Sequence, residues 1–326
     1  MSRPLSDSNI RRFCAAESSA RGEQMAGTAT IARCYLLIES NDAWPRQIAN
    51  LLENLGSLAA SSVRKFIDWC PEEVHPLLIR RDPNLNDRRS GRIYVVRAPQ
   101  VSTGHQREEY GEKCLQVDDY AELTFDQLQD AYCNPDSLQS LLLVCTHGKR
   151  DKCCAKFGGI AYRELVERLD TRIQVMQCSH IGGDRFAANA LWLPHGLYLG
   201  RVHSNLDQVV SAINDERIPL SCLRGNAAMP STAQYLECLV RQRYGLDRPG
   251  GVELLNLDRI SDTREHETAE VTLRIDGLGG KCVQAIVQIL VDQQGEEILA
   301  SCNAGAQGWA HPRQFSLLSN TNLSPT

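Results

Sequence analysis

The chain has 326 residues, of which 42% are hydrophobic and 23% are charged, and its formal net charge is −5. This balance is typical of a folded protein of about two domains and excludes an intrinsically disordered chain. The negative charge disfavours a general nucleic-acid binder, and no apolar run reaches the ~18 residues of a membrane helix. Because the N-terminal residues also lack the apolar region of a signal peptide, we expect a cytoplasmic protein without nucleic-acid or membrane partners.

The first part of the chain predicts a mixed α/β unit, from apolar runs that indicate strands and apolar spacings that indicate helices. The predicted elements are a strand at 28–40, one or two helices at 44–70, strands in HPLLIRR and GRIYVVRA, and a helix at 121–133. The basic stretch at 80–92 predicts a polar hairpin tip or a docking surface for an acidic redox partner. We assign residues 1–136 to an N-terminal α/β domain.

A second unit repeats this theme. The predicted elements are a strand at 140–147, an amphipathic helix at 159–170, a strand at 172–180, two strands around a Pro-His-Gly turn at 188–202, and a helix at 205–216. A β-α-β motif followed by a β-hairpin and a helix is the order of a thioredoxin-like domain. We assign residues 137–217 to this domain.

The last part of the chain, residues 218–326, predicts a helix followed by an antiparallel β extension. The helix is expected at 232–245, and alternating apolar and polar residues predict a three-stranded meander at 269–302. The glycines of DGLGGKC match neither phosphate-binding pattern, GxGxxG or GxxxxGK[ST]. We therefore interpret them as a hairpin turn.

The 13 cysteines are odd in number and irregular in spacing, and a reducing compartment disfavours structural disulfides. Most of them, including Cys34 and Cys302 in apolar strand-like runs, are expected to be buried as small hydrophobic residues. The stretch CTHGKRDKCC is different, because it places Cys145, Cys153 and Cys154 in one loop. Three interpretations compete: a thiol-redox device or disulfide, a zinc site, and an iron–sulfur cluster.

A second loop carries further potential ligands. The second strand of the predicted thioredoxin-like domain ends in CSHIGGDRF, which carries Cys178, His180 and Asp184. In such a sheet the ends of the two parallel strands are neighbours, so both loops can converge on one point. Gly182 and Gly183 would allow the backbone to approach a metal or cluster closely.

The segments VCTHGKRDKCC, SHIGGDRFAANALWLPHGLYLGRV and CAAESSARGEQMAGTATIARCYLLIE resemble the sucrase/ferredoxin-like family, a branch of the thioredoxin-like 2Fe–2S ferredoxins. The resemblance covers residues 14–226. It implies a cluster held by two cysteines separated by eight residues and by two histidines of an HxGGH motif. Cys145 and Cys154 match the cysteines and His180 matches the first histidine, whereas Asp184 stands in place of the second.

The departure at Asp184 leaves the fourth ligand open. Asp184 is the first candidate, Cys178 and Cys153 are alternatives, and His147 or solvent follows. His147 is better suited to supporting the ligands than to replacing one. The remaining neighbours expected around the site are Gly182, Gly183 and the cations Lys149, Arg150 and Lys152, which would raise the reduction potential or simply form a solvated loop.

Three functions are consistent with these residues. The first is a 2Fe–2S electron-transfer protein that serves an unknown redox partner and has no substrate chemistry of its own. The second is a zinc-stabilised structural or binding module, which mixed cysteine and histidine ligation allows. The third is a thiol oxidoreductase that uses Cys153 or Cys154 next to the cations of the loop.

Overall fold

The computed structural model describes residues 12–47, 55, 57–81, 91–98, 111–117, 120–136, 140–263, 265–293, 295–303 and 305–321. Its helices are α1 (Cys14–Ala20), α2 (Ser57–Trp69), α3 (Phe125–Cys133), α4 (Gly159–Arg168), α5 (Leu206–Asn214) and α6 (Ser231–Tyr244). Its strands are β1 (Cys34–Glu39), β2 (Val74–Arg80), β3 (Gly91–Arg97), β4 (Gly111–Val117), β5 (Ser140–Cys145), β6 (Ile173–Cys178), β7 (Ala190–Leu193), β8 (Leu197–Leu199), β9 (Leu223–Asn226), β10 (Val252–Asp262), β11 (His266–Ile275), β12 (Lys281–Val291), β13 (Ile298–Leu299), β14 (Trp309–Ala310) and β15 (Arg313–Thr321).

A nine-stranded mixed sheet with the order β4-β3-β1-β2-β6-β5-β7-β8-β9 forms the centre of the fold. It contains two units with the same connectivity. In the first unit β1 and β2 are parallel neighbours joined through α2, and β3 and β4 continue the sheet antiparallel beyond β1. In the second unit β5, α4, β6, β7 and β8 repeat this arrangement. The β-α-β and hairpin order predicted for the second unit is confirmed, and the first unit shares it.

The two units join through the carboxyl ends of β2 and β6. These strands pair antiparallel, with Ile79 opposite Cys178 and Arg80 opposite Gln177. The carboxyl ends of both β-α-β motifs therefore meet near the middle of the large sheet, and loops of the first unit can reach loops of the second. The domain limits 1–136, 137–217 and 218–326 stay a prediction.

The central strands β1 and β5 are mostly apolar because both faces of the sheet are covered there. β1 is buried at all six positions and β5 at its last five. α2 and α3 contribute to a core on the first unit, and α4 and α5 to a core on the second. A third core combines alternate residues of strands from both units and includes Cys145 and Cys154.

The C-terminal extension is a separate antiparallel sheet with the order β10-β11-β12-β15, packed against α6. The prediction of an antiparallel extension is confirmed, as is the hairpin turn between β11 and β12. The predicted third strand at the end of 269–302 is wrong, because residues 298–299 form only the short strand β13 and β15 takes that place in the sheet. β10 was missed because most of its side chains are partly or fully exposed, which weakens the alternating pattern.

Other predictions differ in detail. β4 and β9 were not predicted, and the helix predicted at 121–133 begins only at residue 125. In the helical stretch predicted at 44–70, α2 covers residues 57–69, whereas residues 48–54 and 56 lie outside the described residues. Most of the basic stretch at 80–92 also lies outside them. Among the helices that the structure describes, none has the length and apolar composition needed to cross a membrane.

Candidate metal centre

Cys145, Cys154 and His180 converge at the carboxyl ends of β5 and β6. Cys145 is the last residue of β5, Cys154 begins a π-helical turn that leads into α4, and His180 follows β6. One ligand atom of each residue lies within 4.8 Å of the ligand atoms of the other two. Both cysteines are only 1% exposed, and the histidine side chain is 17% exposed. This group can therefore hold a metal ion away from bulk water.

The π-helical turn at Cys154–Gly158 packs directly on the end of β5. A Cβ atom at Gly158 would lie 2.0 Å from the carbonyl oxygen of Cys145. Glycine therefore permits the close approach that brings the two cysteines together. At Gly159 the same addition would meet no atom of the described residues within 4 Å.

The loop that carries His180 turns at two glycines with positive φ, +83° at Gly182 and +76° at Gly183. L-amino acids with a Cβ rarely adopt this conformation. The buried guanidinium of Arg224 holds the turn, since it donates hydrogen bonds to the Gly182 carbonyl oxygen and to Asn189 Oδ1. Asn189 in turn donates to the Gly183 carbonyl oxygen at 2.8 Å. Arg224 and Asn189 therefore orient the loop, and sequence analysis did not identify them.

Asp184 lies next to this group of three residues. Its Oδ1 is 3.1 Å from His180 Nδ1 and 3.5 Å from Cys154 Sγ, and the residue is only 5% exposed. The contact with His180 is electrostatic, because Nδ1 has no aligned hydrogen-bond partner among the described residues. Asp184 thus touches two of the three other residues, from which position it can bind a metal or orient the imidazole.

The protonation of these groups is strongly coupled. A hydrogen bond from the Cys154 thiol lowers the pKa of Cys145 and raises that of Cys154. Burial opposes the charged form of His180, but Asp184 and Cys145 outweigh it and raise its pKa to about 9. Burial likewise disfavours the Asp184 carboxylate, yet His180 keeps the pKa of Asp184 below its usual range. These shifts favour a Cys145 thiolate and an Asp184 carboxylate, which are forms that bind metals, whereas Cys154 and His180 must each release a proton when they bind one.

Two further histidines lie beside this group. His147 is 2% exposed, and neither of its ring nitrogens has a hydrogen-bond partner among the described residues. Burial lowers the pKa of His147, and burial followed by the charge of His180 lowers that of His75 to about 4. Trp44 of the first unit packs edge-on against His147, with ring centroids 5.8 Å apart. His75 on β2 was not identified from the sequence, because no motif surrounds it.

The other predicted ligands are placed differently. Cys178 is buried at the end of β6 opposite Cys145, but it lies outside the compact group of ligand atoms. Cys153 belongs to a different group, with Cys14, Asp151 and Cys302. The expectation that Cys302 lies in a buried strand is wrong, because it follows β13 in a half-buried loop where its backbone N–H is bonded to Asp151.

The cations of the first loop differ in exposure. Lys149 is exposed, whereas Arg150 is partly buried and its charge helps to lower the pKa of Asp184. Lys152 lies 5.0 Å from the ring centroid of Phe13. Arg150 is therefore the cation of this loop that acts electrostatically on the site.

The first unit has an ion pair at the position that corresponds to the metal site. Glu39 ends β1 as Cys145 ends β5, and the matching strand registers make Arg81 the counterpart of His180. Arg81 Nε lies 2.8 Å from Glu39 Oε1, and both side chains are 7% exposed. In the first unit, charge pairing thus compensates the two buried charges at this position, although Glu39 Oε2 has no hydrogen-bond partner among the described residues.

A cleft of about 620 Å³ lies at the opposite end of β5, next to Ser140, Trp192 and His195. The candidate metal ligands are at the other end of the strand, so this cleft is separate from them.

Taken together, fold and site define an α/β protein with a thioredoxin-like unit in which two cysteines and a histidine can hold a metal ion. The model of the sucrase/ferredoxin-like family matches residues 25–225, and the chain belongs to that family.

Two curated relatives are both called Altered inheritance of mitochondria protein 32. The chain is 31% identical to the one from Meyerozyma guilliermondii over 75 residues, which is 21% of this chain and 27% of the relative. It is 29% identical to the one from Debaryomyces hansenii over 104 residues, or 29% of this chain and 37% of the relative. The matches thus span well under two thirds of either relative. No solved structure matches the chain significantly.

Proposed function

We propose that this protein is an electron carrier with one 2Fe–2S cluster held by Cys145, Cys154 and His180, with Asp184 in the fourth position. The observation that carries the proposal is the buried convergence of the first three ligand atoms within 4.8 Å of one another. When bound, a cluster of this kind supplies a centre that accepts and releases one electron. Thiolate sulfur and imidazole nitrogen are the donors that such clusters take in proteins.

The surrounding residues suit a redox site. The backbone N–H of His147 donates to the sulfur of Cys145, and such hydrogen bonds stabilise negative charge on a thiolate. Arg150 adds a positive charge near Asp184, which lowers the cost of adding an electron. Trp44 and the packed loops keep water from the buried side of the site. A histidine ligand in place of a thiolate removes negative charge and raises the reduction potential.

A zinc-stabilised module is the second candidate. It is favoured by the compactness of the group, because ligand atoms within 4.8 Å of one another can all reach a single ion. A thiol oxidoreductase has less support. Cys153 is fully buried and Cys154 is 1% exposed. A hydrogen bond with Cys145 and burial raise the pKa of Cys154. The hydrogen bond with Cys14 lowers the pKa of Cys153, but the hydrogen bond with Cys302 and burial outweigh it and raise that pKa to about 12. Buried thiols with raised pKa values are poor nucleophiles.

The test is anaerobic purification followed by iron and acid-labile sulfide analysis, absorbance and electron paramagnetic resonance spectroscopy. We expect two irons and two sulfides per chain and a spectrum with a reduced, paramagnetic state. Cys145→Ser should abolish stable cluster binding. Cys238→Ala removes a buried thiol that donates a hydrogen bond to the Leu223 carbonyl oxygen, and it should leave cluster binding intact.

Each outcome separates the candidates. Stoichiometric zinc without sulfide would replace the electron carrier by the zinc module. A full cluster in the Cys145→Ser variant would remove Cys145 from the ligand set. A redox partner with an acidic surface and a cytoplasmic location remain predictions that this experiment does not address.

A further inference from the structure

A second group of soft ligands comes from three distant parts of the chain. It consists of Cys14 in α1, Asp151 and Cys153 in the loop after β5, and Cys302 after β13, and their ligand atoms all lie within 4.8 Å of one another. The sulfur of Cys153 is 3.4 Å from that of Cys14 and 3.5 Å from that of Cys302. None of the three cysteines forms a disulfide, since a disulfide would bring two sulfurs to about 2.05 Å.

The carboxylate of Asp151 makes this group more than a cluster of thiols. Asp151 is fully buried, and its Oδ1 is 4.0 Å from the sulfur of Cys14. Its other partners are the backbone N–H groups of Cys153 and Cys302 and the hydroxyl of Ser301, all of which are neutral. A buried carboxylate whose partners among the described residues are all neutral is costly unless a cation or a proton neutralises it, and a metal ion shared with three sulfurs would supply that charge.

The distances suit a single tetrahedral ion. Around zinc with Zn–S bonds of about 2.3 Å, neighbouring sulfurs are about 3.8 Å apart. The observed sulfur separations of 3.4 and 3.5 Å are close to this value. Backbone N–H groups of Cys14 and Ala15 donate to the sulfurs of Cys302 and Cys153, as expected for thiolate ligands.

We propose that Cys14, Cys153, Cys302 and Asp151 form a second, structural zinc site. The three thiols release their protons to solvent as the sulfurs bind the ion, and no oxidation or reduction takes place. Three thiolates and one carboxylate form a closed tetrahedral set, which leaves no position for a reacting water.

The site would fasten α1 and the C-terminal extension to the loop that carries Cys154. Other contacts join the same segments. Asn303 donates a hydrogen bond to the Gly148 carbonyl oxygen at 3.2 Å, and the ring of Phe13 packs against that of Phe157. Because Cys153 and Cys154 are adjacent in the chain, ordering Cys153 also orders a ligand of the first site. The second site does not depend on what the first site binds.

Cobalt(II) tests this site, because its spectrum reports thiolate ligation and tetrahedral geometry. The full chain with Cys145→Ser, which lacks a ligand of the first site, is stripped of metal under reducing conditions and titrated with Co²⁺. We expect one equivalent to bind, with sulfur-to-cobalt charge-transfer absorption and tetrahedral visible bands, and Zn²⁺ to displace it. Adding Cys302→Ser should weaken binding at least tenfold, whereas adding Cys238→Ser should not change it.

Protection from alkylation gives a second readout in the wild-type chain. Zinc should slow the alkylation of Cys14, Cys153 and Cys302, and a chelator should reverse this protection, whether or not the Cys302→Ser variant folds. The proposal would be overturned if the Cys145→Ser chain failed to bind cobalt or if Cys302→Ser left cobalt binding unaffected. A disulfide among the three cysteines in anaerobically purified protein would also overturn it. Absence of iron from the wild-type protein would refute only the proposed electron carrier, since the cobalt assay uses a chain without that site.

Discussion

Replacing Gly158 by alanine tests whether close packing on β5 sets the position of Cys154. The added Cβ would lie 2.0 Å from the carbonyl oxygen of Cys145 and 3.1 Å from its carbonyl carbon. Because Cβ atoms essentially never approach other atoms within 3.0 Å, the π-helical turn must move away from β5 by about 1 Å. The obstructing atoms belong to the backbone, so no change of rotamer relieves the contact.

The expected magnitude combines two opposing effects. Overpacking of this kind costs about 1–3 kcal/mol, and a backbone obstacle favours the upper end of that range. Gly158 has helical dihedral angles, φ −64° and ψ −41°, so alanine also stabilises the helical conformation. That gain is roughly 1 kcal/mol. We therefore expect a net loss of about 2 kcal/mol in the free energy of unfolding.

Urea denaturation of the metal-free chain, followed by circular dichroism, measures this loss, and metal analysis of the purified variant reports on the site. The shift of Cys154 should also lower the amount of bound metal. Gly159→Ala is the matched control, because Gly159 has nearly the same dihedral angles and no atom in the part of the chain that the structure describes lies within 4 Å of the new Cβ. It should leave metal binding unchanged and stabilise the chain by up to about 1 kcal/mol. Equal stability and metal content in the two variants would refute the reasoning.

Three further predictions concern other residues. Arg224→Met should destabilise the chain by about 2–4 kcal/mol, measured by urea denaturation, because it leaves buried acceptors on the Gly182 turn unpaired. Burial lowers the pKa of His195 to about 4 from its usual 6.5, so the unfolded chain binds the extra proton. The free energy of unfolding should therefore fall by at most about 3 kcal/mol from pH 6.5 to 4, and the fall should be smaller in His195→Gln. Asp184→His should leave the proposed cluster bound; if Asp184→Ala changes neither its spectrum nor its potential, Asp184 is not a ligand.

The order of the second unit was predictable from the sequence because its strands are short apolar runs and its helices have apolar residues at helical spacing. The convergence of Cys145, Cys154 and His180 followed from the same order. Parallel strands joined by a helix end at the same edge, so the loops after β5 and β6 must be neighbours. These local patterns predicted that the two loops are neighbours, and the resemblance to the sucrase/ferredoxin-like family selected Cys145, Cys154 and His180 among their residues.

The sequence indicated that the second unit repeats the α/β theme of the first, but it did not reveal that the two units share one strand connectivity. Glu39 and Arg81 have no chemical resemblance to Cys145 and His180, and only the strand registers show that they occupy corresponding positions. The partly polar strand β10 was missed because most of its side chains are partly or fully exposed, so its residues do not form a regular apolar pattern.

The second group of cysteines depended entirely on the tertiary structure. Cys14 and Cys153 are separated by 139 residues, and Cys14 and Cys302 by 288, so no spacing motif could connect them. Local sequence determines which residues form a strand, a helix or a turn, because neighbouring side chains and backbone dihedral angles decide it. Which distant loops meet is decided by the packing of whole elements, and here that packing brings α1 and the C-terminal extension to the loop that begins at Cys145.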